Sequence, residues 1–253
     1  MFVDVNGARL AYSDEGSGPI VINAHGLTQS RANDRAAGLV DWSALPAAGY
    51  RLISYDARGH GESTGIADPA VYRWDNLADD LLALIDHVSP GEPVHAFGVS
   101  MGTATILTAL TRSAGHFRSV TLGAPPTAWE TRAAQSALYA QFATMTPADF
   151  ASAFAEAPAP PIFAGSDFVV RPDVRPELLS AVLGGAGDSD LPAPSLLAGV
   201  DVPALILSWA TDPGHPVSTG ERLAELLPHS TFHVSETMAD VKTWAARAAT
   251  FFG

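Results

Sequence analysis

Five residues, Gly98-Val99-Ser100-Met101-Gly102, carry the clearest chemical pattern in the chain. They follow the apolar run Pro93-Val94-His95-Ala96-Phe97 and open the helix-like stretch Thr103-Ala104-Thr105-Ile106-Leu107, a context of strand, sharp turn and helix. A serine on such a turn sits in strained backbone with its hydroxyl exposed, and glycines two residues before and after let strand and helix pass closely. The Met101 N–H then lies at the helix start, where unpaired amides favour a developing oxyanion. The chemistry this arrangement suits is attack of the Ser100 hydroxyl on an acyl carbon.

Three further pieces occur in order around it. Pro19-Ile20-Val21-Ile22-Asn23-Ala24 has the pattern of a buried strand running into His25-Gly26-Leu27. Tyr50-Arg51-Leu52-Ile53-Ser54-Tyr55 delivers Asp56-Ala57-Arg58-Gly59-His60-Gly61-Glu62-Ser63, and Pro203-Ala204-Leu205-Ile206-Leu207-Ser208 runs into Thr211-Asp212-Pro213-Gly214-His215-Pro216. Each motif falls at the C-terminal end of a strand, where open α/β sheets place their sites. Together they resemble the α/β-hydrolase superfamily, in its serine esterase and lipase-like form, over nearly the whole chain apart from about Thr127 to Leu197.

That resemblance implies roles. Ser100 stands at the nucleophile elbow, the Leu27 and Met101 backbone N–H groups stand at the oxyanion hole, and the 56–63 loop is scaffold. The acid of the family falls at Asp212. Haloalkane dehalogenases and epoxide hydrolases carry aspartate at the elbow, so serine there implies acyl chemistry on an ester, thioester, lactone or carbon–carbon bond beside a carbonyl.

The base departs from the family pattern, in which a histidine follows the last strand. Here Thr231-Phe232-His233-Val234-Ser235-Glu236-Thr237-Met238-Ala239-Asp240 holds His233 alone, inside the strand. Of the eight histidines, His25, His60, His87, His95, His116 and His229 suit structural or solvated positions. His215 lies on a strand-end loop three residues beyond Asp212, between Pro213 and Pro216, which limit the loop's range. Two strands at ~4.8 Å spacing put that loop ~10 Å from Ser100, within reach of an imidazole folded over the sheet. The expected set is therefore Ser100 as nucleophile, His215 as base and Asp212 as its orienting acid. A pair three apart must turn back on itself to meet, so Glu130 is a second candidate acid. Asp240 and Glu236 occupy the missing histidine's region and are candidates for contact with the site.

Composition narrows the class. At 253 residues, 47% hydrophobic and 16% charged, the chain can form one large α/β domain. A formal charge of −13 with 14 scattered basic residues argues against a nucleic-acid partner. No apolar run reaches the ~18 residues of a membrane span, and the start lacks a signal core, so no membrane partner and a cytoplasmic location are expected. The absence of cysteine removes thiolate nucleophiles and disulfides. Asp212 with His215 falls short of a metal site. The Gly59-His60-Gly61…Gly65 spacing departs from a dinucleotide loop, and no cofactor is expected. Lys242 is the sole lysine and alanine is abundant, a compositional bias of a GC-rich genome.

Strands are predicted near 2–5, 8–13, 19–24, 50–55, 93–97, 118–122, 203–208 and 231–235, the first two as a hairpin turning at Asn6-Gly7. Helices are predicted over Arg73–Val88, Met101–Ser113, Ser218–Leu227 and Ala239–Phe252. The fold class is thus α/β: an α/β-hydrolase fold with a mostly parallel, doubly wound eight-stranded sheet and a helical cap inserted after strand 6. The core is 1–126 with 198–253, and the cap is 127–197, in a single domain overall. Helices are expected at Thr131–Met145, from Pro147, and from Pro176, with Ala157-Pro158-Ala159-Pro160-Pro161 a stiff connector. Trp129, Tyr139, Phe142, Phe150, Phe154, Phe163 and Phe168 are candidates to line an apolar pocket, or to pack cap against core. The substrate implied is a small, largely apolar acyl compound, with a homo-oligomer left open. The alternative is a degenerate scaffold that binds a small ligand without turnover.

Overall fold

The computed structural model describes residues 1–156, 160–164 and 172–253, with the side chain of Phe154 excepted. The connector residues Ala157, Pro158 and Ala159 and the candidate lining residue Phe168 lie outside the described residues, as does the Phe154 side chain.

The chain opens on an antiparallel hairpin of β1 (Phe2–Val5) and β2 (Ala8–Gly16). Its two-residue turn, Asn6-Gly7, has φ of 44° and 76°, the conformation that matches the twist of flanking strands. Then come β3 (Ile20–Ala24), β4 (Arg51–Tyr55), β5 (Val94–Val99), β6 (Phe117–Gly123), β7 (Ala204–Trp209) and β8 (Ser230–Ser235). They form one eight-stranded sheet in the order β1-β2-β4-β3-β5-β6-β7-β8. β2 pairs antiparallel with β4, and every later pairing is parallel. Strand order reverses around β3, so the loops after β3 and β5 leave on opposite sides and open a crevice at their C-terminal ends.

Central strands buried on both faces should be continuously apolar, and β5 and β7 are buried at every position. Alternate residues serve opposite cores. Ile22, Ala96, Val120, Leu122 and Ile206 pack towards α3 (Trp74–Val88), α4 (Met101–Ser113) and α9 (Val217–Leu226). Val21, Leu52, Phe97, Leu205 and Leu207 pack with Trp42, Leu45 and Trp244 on the other face. That second face is covered by α2 (Ala44–Ala47) and α11 (Trp244–Phe252).

The helices depart from the sequence pattern in places. α1 (Arg31–Ala37) has no buried residue and hence no apolar period, although Ser30 caps its start and left-handed Gly38 its end. The predicted helix over Ala239–Phe252 is two pieces, α10 (Met238–Val241) and α11. The Thr243 hydroxyl donates to the Asp240 carbonyl at 2.6 Å, a local bond that competes with helix continuation.

Between β6 and β7 lie α5 (Arg132–Ala143), α6 (Pro147–Glu156), α7 (Leu179–Gly187) and α8 (Pro194–Leu197). Pro176 opens a 3₁₀ turn ahead of α7. Buried Arg132 fastens this segment: its guanidinium donates to the Ser189 and Ala186 carbonyls and lies 4.4 Å above the Trp74 ring.

The elbow glycines are demanded by backbone contact. A Cβ on Gly102 would lie 1.9 Å from the Ala24 carbonyl oxygen, and one on Gly98 would lie 2.4 Å from the Gly102 carbonyl carbon. Neither neighbour is a side-chain end that can swing away. Gly102→Ala is therefore expected to cost about 3 kcal/mol or more, a fall of roughly 6–12 °C in Tm for a chain of this size. A thermal melt within a degree of the parent would show instead that β3 and α4 can separate freely.

Candidate active site

Ser100 follows β5 with φ 55° and ψ −111°, a backbone conformation that a residue with a side chain adopts only under constraint. The constraint is visible. Its N–H donates to the Gly123 carbonyl at 3.0 Å, while the Thr103 hydroxyl donates to the Gly98 and Gly123 carbonyls at 3.0 and 2.7 Å. Ser100 occupies the N-cap position of α4, yet its side chain makes no capping bond. The hydroxyl is left for another partner.

That partner is His215, whose Nε2 lies 2.7 Å from Ser100 Oγ, while His215 Nδ1 lies 2.7 Å from Asp212 Oδ2. An ionised carboxylate only accepts, so Nδ1 carries the proton and Nε2 offers its lone pair to the serine hydroxyl. A β-turn solves the problem of two residues only three apart. The His215 N–H donates to the Asp212 carbonyl at 3.2 Å, with Pro213 and Gly214 at the central positions, and both flanking side chains leave on one side. The Gly214 N–H donates to Asp212 Oδ1 at 2.8 Å, and the Thr127 N–H donates to the Gly214 carbonyl at 3.2 Å, so the loop is held from within and from β6's exit.

Trp209, the last residue of β7, completes this arrangement. Its indole N–H donates to Asp212 Oδ2 at 3.0 Å, and its ring meets the His215 ring edge-on at 5.4 Å. Trp244 stacks on it at 5.5 Å and 17°. Burial works to raise the Asp212 carboxyl, but the bonds from His215, the Gly214 N–H and the Trp209 indole outweigh it and bring it down to about 2.

The loop after β3 faces the elbow. A first side-chain carbon on Gly26 would sit 3.6 Å from Ser100 Cβ, so the backbone there runs beside Ser100. His25 is buried, its Nε2 accepts from the Ala57 N–H at 2.9 Å and its Nδ1 donates to the Gly26 carbonyl at 2.8 Å. Burial pushes this imidazole down to about 4, which keeps it neutral in that tautomer. The Gln29 N–H also donates to the Gly26 carbonyl. Because Gly26 C=O and Leu27 N–H share one peptide plane, fixing the oxygen from two sides fixes the opposite direction of the Leu27 N–H. Met101 occupies the first turn of α4, where backbone N–H groups lack helical partners.

Ser100, Asp212 and His215 border a cavity of about 420 Å³. Leu27 lines it, with Tyr139 and Phe142 from α5, Phe150 from α6, and Phe163. Trp129, a candidate for this lining, instead donates its indole N–H to the Pro192 carbonyl at 3.1 Å, so it joins two covering segments.

The remaining candidates lie elsewhere. Glu130 is exposed on a 3₁₀ turn beyond β6 and does not line the cavity. His233 aligns across β7 and β6 with Val99 through the pairs Leu207–His233, Gly123–Leu207 and Val99–Gly123. Three strand spacings put it ~14 Å away. It pairs with Asp240 at 2.6 Å, Asp240 also binds Arg247 at 2.6 Å, and Glu236 is exposed. In the 56–63 loop, Arg58 bonds Asp80 at 2.7 and 2.9 Å, and Ser63 donates to the Asp56 carbonyl at 2.7 Å, which is scaffold work.

With this geometry in place, the chain matches the α/β hydrolase fold family over residues 19–164, more than half its length, and it belongs to that family. It is 34% identical over 106 residues to the Mycobacterium tuberculosis protein named "Probable oxidoreductase EphD", a match covering 40% of this chain and only 17% of that protein. It is 28% identical over 202 residues to "3-oxoadipate enol-lactonase 2" of Acinetobacter baylyi, covering 74% of this chain and 71% of the relative. Among solved structures, a hydrolase from Pseudomonas aeruginosa superposes with a TM-score of 0.82 at 21% identity, covering 100% of this chain and 98% of the other. That likeness is one of fold. No helix among the described residues is long and apolar enough to cross a membrane.

The Trp209 contact can be isolated. Trp209→Phe keeps a ring against His215 and removes the N–H, so the Asp212 carboxyl should rise by roughly one pH unit, read by carbon NMR titration. In the parent, this depressed carboxyl contributes stability that is complete above the unfolded value near ~4 and fades as pH falls towards about 2. The variant should lose that contribution at a higher pH, whereas an unmoved titration would leave the indole N–H without a role.

Proposed function

We propose that this protein is a serine hydrolase acting through an acyl-enzyme at Ser100 on a small, largely apolar carboxylic ester, lactone or thioester. The observation that carries the reading is the pair of 2.7 Å bonds from His215, one to Ser100 Oγ and one to Asp212 Oδ2, at the wall of the 420 Å³ cavity. The enol-lactonase relative, whose name denotes opening of a cyclic ester, adds support over 74% of the chain.

The steps need only side chains, backbone amides and water. Ser100 Oγ bonds to the acyl carbon as its proton passes to His215 Nε2, and the carbonyl oxygen becomes an oxyanion. The Leu27 and Met101 N–H groups receive that charge. Asp212 holds the imidazole in the productive tautomer and stabilises its protonated form. As the oxyanion collapses, the carbon–oxygen or carbon–sulfur bond to the leaving group breaks, and His215 returns the proton to it. Water then attacks the acyl-enzyme by the same route, His215 taking its proton and giving it back to Ser100. His215 has 21% and Asp212 12% side-chain exposure, which lets water reach the base while the acid stays sheltered.

Hydrolysis of p-nitrophenyl acetate and butyrate tests this. Ser100→Ala and His215→Ala should each lower kcat by about a thousandfold or more, while His233→Ala should stay within about twofold, as expected of a surface pair ~14 Å away. Loss of activity confined to His233→Ala would overturn the assigned base. Equal rates for the parent and Ser100→Ala, with the ester still raising Tm, would favour a scaffold that binds without turnover.

A further inference from the structure

The cavity contains a carboxyl that the steps above do not use. Asp34, on α1, lines it beside Ala37, Leu39 and Val99, on the side of the sheet opposite α4. Asn23 Nδ2 donates to its Oδ2 at 3.3 Å, and the Trp42 indole and the Arg35 charge also favour its ionised form, though less than desolvation opposes it. The nearest cation on its own helix, Arg35, is turned outwards, where it binds Glu15 at 2.6 and 3.0 Å. Among the described residues that line the cavity there is neither lysine nor arginine. Among the described residues the other titratable groups facing this space are Asp212 and His215, which bind each other, and Tyr139.

A carboxylate in a mostly apolar cavity discriminates by charge. It accepts hydrogen bonds from an ammonium or hydroxyl group and repels a second carboxylate, and low local polarity strengthens both effects. The described wall therefore offers an anionic substrate no lysine or arginine as counter-ion. We propose that Asp34 is a specificity-determining residue that directs the site to esters bearing an ammonium or hydroxyl group on the portion lying against α1, and away from esters bearing a carboxylate. This rests on the assignment of Ser100 as the nucleophile of an ester hydrolase. Asp34 is half-buried, and its desolvation against the cavity wall pushes the carboxyl up to about 6, so it is ionised at pH 7.5 and mostly protonated at pH 5. The charge preference is therefore present above about 6 and fades below it.

The test uses p-nitrophenyl esters of equal chain length: hexanoate, 6-aminohexanoate, 6-hydroxyhexanoate and the monoester of adipic acid. At pH 7.5 the parent should show kcat/KM for the amino ester at least ~100-fold above that for the adipate monoester, with the hydroxy ester between them. In Asp34→Asn this ratio should collapse to within about tenfold, and in the parent it should shrink towards the same value at pH 5. Because Ser100 and His215 serve every ester alike, their contribution cancels from ratios taken at one pH. A uniform change across all four esters in Asp34→Asn, or a ratio independent of pH, would overturn the inference. If the variant does not fold, inhibition of the parent by hexylamine and by hexanoate reads the same preference, and equal inhibition by the two counts against it. Ser100→Ala separates the two ideas. Full activity in that variant defeats the hydrolase reading, whereas its inactivity with unchanged ester ratios in Asp34→Asn defeats only the role of Asp34.

Discussion

The site depends on a four-residue turn. Two side chains three apart can meet only if the backbone between them reverses, and the bond from the His215 N–H to the Asp212 carbonyl closes that reversal around Pro213 and Gly214. From it follow the orientation of the imidazole, the depressed acid and the alignment of Nε2 on Ser100. In the family pattern the base arrives from beyond the last strand. Here the loop after β7 brings both groups, and β8 with α10 and α11 is left to packing and to the Trp244 ring beneath Trp209.

The same edge of the sheet carries backbone strain. Thr28, Ser100, Ala124 and Thr211 all have positive φ, at 60°, 55°, 42° and 70°, and all lie at or just beyond the C-terminal ends of β3, β5, β6 and β7. Each such residue costs about 1–3 kcal/mol and persists because its neighbours leave it no alternative. The Asp173 N–H donates to the Thr28 carbonyl at 2.7 Å, the Ala124 N–H donates to the Leu207 carbonyl at 2.7 Å, and the Ile162 N–H donates to Thr211 Oγ1 at 3.2 Å. Strain held in this way keeps groups aimed at a common centre without relying on their own side-chain packing.

Most of the frame was legible because parallel strands buried on both faces leave unbroken apolar runs, as in Val94–Val99 and Ala204–Trp209. The elbow was legible because Gly98 and Gly102 answer a steric need that no other residue meets. His215 could be singled out by its strand-end loop, with Asp212 as its expected partner, but the turn that lets the two meet could not, since its hydrogen bond depends on backbone angles that residue types only bias. α1 escaped because a helix with no buried face leaves no period, and Asp34 escaped with it. Trp209 lies just past the predicted strand 203–208 and carried no reading of its own; its indole donor acquires meaning only when the chain beyond it folds back. The position of Trp129 was equally hidden, because an aromatic ring in a helical insertion can face a cavity or a neighbouring segment with the same sequence around it.

Having Asp212 and His215, the proposed acid and base, on a single closed loop also changes how the protein responds to disturbance. When they come from two separate segments, any relative slip of those segments uncouples one from the other. In this arrangement a displacement of the 211–216 loop carries Asp212 and His215 together, so their mutual geometry survives while the gap to Ser100 opens or narrows. The loop thereby behaves as a preassembled cartridge with one adjustable distance, and the contacts that set its seating, Thr127 with Gly214 and Ile162 with Thr211, become the screws that tune it.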